Sequence, residues 1–137
     1  MKRIIAVVLA IVTSVVFCAC AKTSGYTLDY GESQIYTNED IKAAAKKVVG
    51  EFKSFSGCVL YSLEYAGDEI CEEELSYVNS LREDGVKEFS ECLVFNSEFR
   101  SPINGGDAWE PNDIYTWSWH LGREKDGEWV LVTYGYP

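Results

Sequence analysis

A single histidine, three prolines and one methionine in 137 residues leave this chain with few of the side chains that organise common catalytic centres. None of its five cysteines stands in a Cys-x-x-Cys or Cys/His spacing, which excludes the familiar zinc and dithiol-exchange sites. There is no Gly-x-Ser-x-Gly elbow of an α/β-hydrolase. Gly105-Gly106 lacks the Lys-Ser/Thr that completes a phosphate-cradling loop. No internal repeat or low-complexity tract is present. Basic charge is scarce too: 12 Lys and Arg stand against 22 Asp and Glu. Nucleic acid and anionic lipid both repel such a chain, so neither is expected to be its partner by charge alone.

What the chain does have begins at its first residue. Lys2 and Arg3 precede an apolar run, Ile4 to Phe17, interrupted only by Thr13 and Ser14, and small residues follow. This is the pattern of a bacterial export signal. Phe17-Cys18-Ala19-Cys20 resembles the lipobox of Gram-positive lipoproteins, with Phe17 where those signals usually carry Leu. The expectation is removal of residues 1–19 and acylation of Cys20, with palmitate-type chains holding the protein on the extracytoplasmic face of the membrane. Two alternatives stay open. Ile4 to Ala21 is 18 residues, at the lower edge of a membrane-spanning helix. Ala19-Cys20-Ala21 also fits an ordinary secretory cut before Lys22, which would release a secreted protein.

Without Lys2 and Arg3 the balance is 10 basic against 22 acidic residues, a net charge of −12. The remaining 118 residues make one domain, expected over 36–137 and joined to Cys20 by a lipidated tether over 20–35. Ala21 to Gln34 supports the tether reading, being polar and without an apolar period. Cys58, Cys71 and Cys92 are an odd set, so at least one thiol is unpaired. All three are expected to be buried and free; if two pair, Cys58 with Cys92 is the better choice, both falling on expected strands.

Ile41, Ala45, Val48, Phe52 and Phe55 form one apolar stripe, predicting a helix from Glu39 to about Phe55. Thr37 or Asn38 would cap it and Gly57 stop it. Gly50 within it suggests close packing against a sheet. Cys58 to Ala66 reads as a strand with Val59, Tyr61, Leu63 and Tyr65 on one face. Glu72 to Asp84 reads as a second helix with Leu75, Val78 and Leu81 inward, ended by Gly85. Glu88 to Arg100 alternates as a strand, with Phe89, Leu93, Phe95 and Phe99 on one side and Cys92 and Val94 on the other. A breaker-rich loop, 101–113, precedes strands at Ile114 to Arg123 and Glu128 to Tyr136, joined through Asp126-Gly127 as a hairpin.

This order predicts an α+β domain in which a curved antiparallel sheet packs around the long N-terminal helix, with an additional short helix. Cystatin-like and NTF2-like domains have that arrangement; a flatter two-layer sandwich is the alternative. The segments YTNEDIKAAAKKVVGEF and SGCVLYSLEY, with the closing Trp117-x-Trp119-x-Leu121-x-Arg123 and Gly127-x-Trp129-x-Leu131-x-Thr133-x-Gly135-Tyr136 hairpin, resemble a family of small lipoproteins from Firmicutes. The resemblance covers roughly 36–136. It implies a single extracytoplasmic domain and supplies no catalytic residue.

His120 is the one candidate general base, sharing a strand face with Thr116 and Ser118 opposite Trp117 and Trp119; Asp107, Glu110 or Asp113 would orient it. Asp107, Glu110 and Asp113, with Asn104 and Asn112, also offer oxygen ligands of the kind calcium takes, although the spacing is not that of an EF-hand. The aromatic content reads mainly as core, but Trp109 sits in a polar loop, either as a recognition anchor or folded back as a lid. Glu72-Glu73-Glu74 reads as complement to a helix dipole. The function expected is a membrane-anchored, non-enzymatic module without a cofactor. It would bind a small ligand, an envelope polymer or a protein in a concave pocket near Trp117, Trp119 and His120 with Trp109 at the rim. The alternative is a small extracytoplasmic enzyme using His120.

Overall fold

The computed structural model describes residues 21–106 and 108–137; the export segment, Cys20 and Asp107 lie outside them. The elements are β1 (Thr27–Asp29), α1 (Asn38–Phe52), β2 (Val59–Tyr65), α2 (Asp68–Ser80), β3 (Glu91–Arg100), β4 (Ile114–Arg123) and β5 (Val130–Gly135). They form an α+β fold around one five-stranded mixed sheet in the order β1-β2-β3-β4-β5. β1 runs parallel to β2, and the other neighbours are antiparallel.

α1 begins where its chemistry demands. The Thr37 hydroxyl accepts from Asp40 N–H, and the Asp40 carboxylate accepts from Thr37 N–H, closing a capping box. Ile41, Ala44, Ala45, Val48 and Phe52 are buried against the sheet. Phe55 lies past the end of the helix and packs there from a turn, and Gly57 (φ 80°) reverses the chain. Gly50 is not a close-packing glycine: it faces outward, with open space where a side chain would be.

The sheet has two unlike faces. Cross-strand register sets Leu93 opposite Leu121, Phe95 opposite Trp119 and Phe99 opposite Tyr115, and this face receives α1. The alternate residues Val94, Asn96, Ser118 and His120 form the other face, partly covered by α2. Because a helix lies on each side, Cys92 to Phe95 are all buried, and alternation disappears over this half of β3.

Several boundaries depart from the periodic reading. The segment 21–35 is not a tether. Lys22 N–H donates to Cys58 O at 2.8 Å, Leu60 N–H donates to Lys22 O at 2.9 Å, and β1 pairs along β2. The domain therefore extends back at least to Lys22 rather than beginning at residue 36. Backbone pairing covers an otherwise open edge of β2 and needs no apolar period, so hydropathy does not report it. In β2 a bulge at Tyr61 breaks the two-residue alternation, putting Leu60, Leu63 and Tyr65 inward and leaving Tyr61 exposed.

α2 starts at Asp68 and ends at Ser80, four residues earlier at each end than the stripe suggests. Its start is tied down by the Asp68 carboxylate, which accepts from Ser33 Oγ (2.6 Å), Gln34 N–H (2.8 Å) and Tyr65 OH (2.5 Å). Its end is set by Asn79, whose side-chain amide bonds both N–H and C=O of Phe89. That clamp also moves Phe89 off the face of Leu93: it lies over Gly122, on the α2 side.

β5 is shorter than expected, Val130–Gly135, and Trp129 before it turns onto α1. There Arg123 is buried among Trp129 (4.2 Å from guanidinium carbon to ring centroid), Asp40 (3.2 Å) and Glu91 (2.8 Å). Asp126 (φ 60°) and the Gly127 N–H to Glu124 O bond close the hairpin turn.

Candidate functional site

The face towards α1 is filled. Phe52, Phe55, Phe99, Trp119 and Tyr134 interlock, with Trp119 and Tyr134 stacked at 4.6 Å between ring centroids. Trp119 is fully buried, and its indole N–H donates to Ser97 Oγ at 2.8 Å. Trp109 folds back as a lid, 5.1 to 5.8 Å from Tyr115, Trp117, Phe99 and Phe55. The space near Trp117 and Trp119 on the α1 side is thus occupied by aromatic core. The reason is volume: each large ring buries most by meeting other rings.

The opening lies on the other face. α2 packs on β3, where Cys71 Sγ accepts from Val94 N–H, and a groove of about 470 Å³ lies between α2 and strands β4 and β5. Its floor is Val94, Asn96, Ser118, His120 and Thr133. Ile70, Glu74 and Tyr77 form one wall, at the four- and three-residue steps that share a helix face.

His120 meets α2 twice. Its Nε2 is 3.1 Å from Glu74 Oε2, and the Tyr77 ring sits edge-on at 5.5 Å. Ser118 Oγ donates to Asn96 Oδ1 at 3.0 Å, so the nearest floor hydroxyl is committed to an amide rather than to the imidazole. The carboxylate beside His120 is therefore Glu74, not a residue of the 101–113 loop. Glu110 and Asp113 are exposed and serve that loop: Ser101 Oγ donates to Glu110 O, and Asp113 Oδ1 accepts from Ile114 N–H. Asp107 lies outside the described residues. Among the described residues no three His, Cys, Asp or Glu side chains cluster to hold a metal.

Sequence reasoning placed His120 and Ser118 on a common polar face but missed Glu74, Tyr77 and Asn96. The signal available was the Glu72-Glu73-Glu74 run, of which only the third member turns to the sheet. Cys58, Cys71 and Cys92 are all free. Cys58 with Cys92 is ruled out as a pair, because the register puts Cys58 at the Arg100 end of β3 and Cys92 at the opposite end. Burial, then the neighbouring Cys71 and Glu74, pushes the Cys92 thiol up to about 12. Such a thiol is a packing group, not a nucleophile.

Among the described residues no helix is long and apolar enough to cross a membrane. No protein-family model matches the chain, and the curated proteins and solved structures yield no match to it either.

Proposed function

We propose that the chain is a lipoprotein held at the outer face of the bacterial membrane by acyl chains on Cys20, and that its domain binds a ligand in the groove under α2. The observation that carries the binding reading is the contrast between the two sheet faces. One is packed solid with aromatic rings, while the other keeps an open, polar floor around His120. Concave sites with a few convergent polar groups are the usual ligand positions.

The lining favours a neutral or amine-bearing ligand. Among the described residues Glu74 is the one acidic side chain of the groove, and no Lys or Arg lines it. Asn96, Ser118 and Thr133 offer hydrogen bonds, and Tyr77 offers an aromatic edge. An anion would meet the Glu74 carboxylate within a domain of net charge −12. A polyhydroxylic or amine-bearing fragment of an envelope polymer suits these groups. The test is an amide NMR titration with an N-acetylglucosamine oligomer and with a polyamine as probes. Shifts concentrated at Glu74, Tyr77, Asn96, Ser118 and His120 are expected from one of them. Unchanged spectra with both, or shifts confined to other surfaces, would defeat the proposal.

A second reading has its own observation. The His120–Glu74 pair is the arrangement by which a carboxylate orients an imidazole for proton transfer. In that reading an incoming substrate supplies the group to be deprotonated, since no side-chain nucleophile is aligned. Loss of an envelope-linked activity in both His120→Ala and Glu74→Gln, with folding intact, would favour it.

Membership of the Firmicutes lipoprotein family and likeness to cystatin-like or NTF2-like domains belong to the same proposal. α1 lying across the antiparallel β2 to β5 supports the likeness. The parallel β1 and the second helix are additions to it.

A further inference from the structure

The chain enters the fold without a spacer. Backbone pairing to β2 begins at Lys22, and Ala21 is already only 9% exposed. Consecutive α-carbons are about 3.8 Å apart, so an anchor on the residue before Ala21, as proposed above, would be attached one residue from the end of the sheet where β2 begins.

That end has a distinctive surface. Val59 pairs with Arg100 and Arg100 with Ile114, which places the 101–113 loop beside the point of entry. The backbone of Gly57 abuts Pro102 of that loop. β5 runs out in the same direction: Gly135 pairs with Ser118, and the following Tyr136 ring lies 5.9 Å from Trp117 and 6.4 Å from Tyr115. The two most exposed large apolar side chains of the described residues, Tyr136 at 73% and Ile103 at 67%, are both here, with Ile114 at 49%.

Lys22, Lys53 and Arg100 are at or near this end, together with Glu51, Glu98, Glu110 and Asp113. The denser acidic stretches, Glu72 to Glu74, Glu83-Asp84 and Glu124 to Asp126, belong to α2 and the far hairpin.

We propose that this end is a bilayer-docking surface, with Ile103, Ile114 and Tyr136 seated in the lipid interface beside the acylated Cys20. The inference rests on the anchored reading of Cys20 and adds an orientation to it. Tyrosine and tryptophan rings favour the headgroup layer, where an apolar body and a polar tip are both satisfied. A tethered surface needs little affinity of its own, because attachment makes the contact intramolecular. In this orientation the densest acidic runs, on α2 and the far hairpin, face away from anionic headgroups.

The test uses the full-length acylated protein in vesicles of phosphatidylglycerol and phosphatidylethanolamine. A fluorophore is attached at Ile103→Cys, at Tyr136→Cys, or at Asp126→Cys on the far hairpin. Nitroxide-bearing lipid is expected to quench the first two labels several-fold more than the third. Equal, weak quenching at all three positions, in protein that floats with vesicles and whose Cys20 is acylated by mass spectrometry, overturns the docking surface while the anchor stands. An unmodified Cys20 in protein that does not float overturns both. Shielding of the Ile103 label in intact envelopes but not in vesicles assigns the surface to a protein partner and overturns the bilayer assignment.

Discussion

His120 Nε2 lies 3.1 Å from Glu74 Oε2, joining strand β4 to a helix residue 46 positions earlier in the chain. The pair spans the groove wall and floor, so each side chain limits the rotamers of the other. Glu74→Gln keeps the shape and removes the charge. Because the pair is partly solvated, stability is expected to change by no more than about 1 kcal/mol. Binding of an amine-bearing probe should fall at least about tenfold, the usual scale for losing one charged hydrogen bond. Chemical denaturation and the NMR titration, run on the same sample, separate these two effects.

Arg123 is the electrostatic knot between α1 and the hairpin. Its guanidinium bonds Asp40 and Glu91 and lies over the Trp129 ring. Arg123→Ala strands two carboxylates beside a buried site and is expected to cost about 2–4 kcal/mol. Arg123→Lys should restore less than half of that, since an ammonium cannot reproduce the planar fork or its stacking. Urea midpoints with an unchanged m-value would establish the loss.

Acid should unfold the domain through two aspartates. Burial alone would raise the Asp68 carboxyl, but hydrogen bonds from Ser33, Tyr65 and the Gln34 N–H outweigh it and hold it below the ordinary 3.8. Asp40 behaves alike: burial opposes, while Thr37 and Arg123 prevail and lower it. A group depressed on folding stabilises fully above its unfolded value and loses that contribution as pH falls through its folded value. Stability should therefore hold from neutral pH to about 4 and decline below it. Asp68→Asn should lower stability at neutral pH and flatten the decline, as followed by urea unfolding at stepped pH.

Gly122 makes room for an aromatic ring. A Cβ there would stand 2.6 Å from Phe89, and the Phe89 backbone is held at both ends by Asn79. Gly122→Ala is expected to destabilise by about 1–3 kcal/mol through overpacking. In a Phe89→Leu background the same substitution should cost distinctly less, because the clash partner is smaller. A double-mutant cycle measured by denaturation tests that coupling; strict additivity would count against it.

How much of this was legible depended on the kind of signal. The α1 stripe as far as Phe52, its Thr37 cap, the Asp126-Gly127 turn and the full extent of β4 follow from local rules and appear where those rules put them, while Phe55 falls beyond the helix. The edge pairing of 22–29, the Tyr61 bulge and the early ends of α2 were not legible. Each depends on a partner distant in sequence: Cys58 for Lys22, β3 for Tyr61, Ser33 and Phe89 for α2. The site divides in the same way. His120 and Ser118 were visible as a polar face, while Glu74 was one of three adjacent glutamates with nothing local to single it out.

Residue order alone determined the amphipathic helix, the strand-rich C-terminal half, the strong negative charge and the lipobox-like start, because each expresses a short-range preference or a composition. Tertiary structure alone decided that the tryptophans fill one face and leave the other open, that Glu74 rather than Glu110 or Asp113 meets His120, and that Lys22 already pairs with the sheet. Those outcomes depend on which surfaces of distant segments exclude water together, and no local preference encodes that.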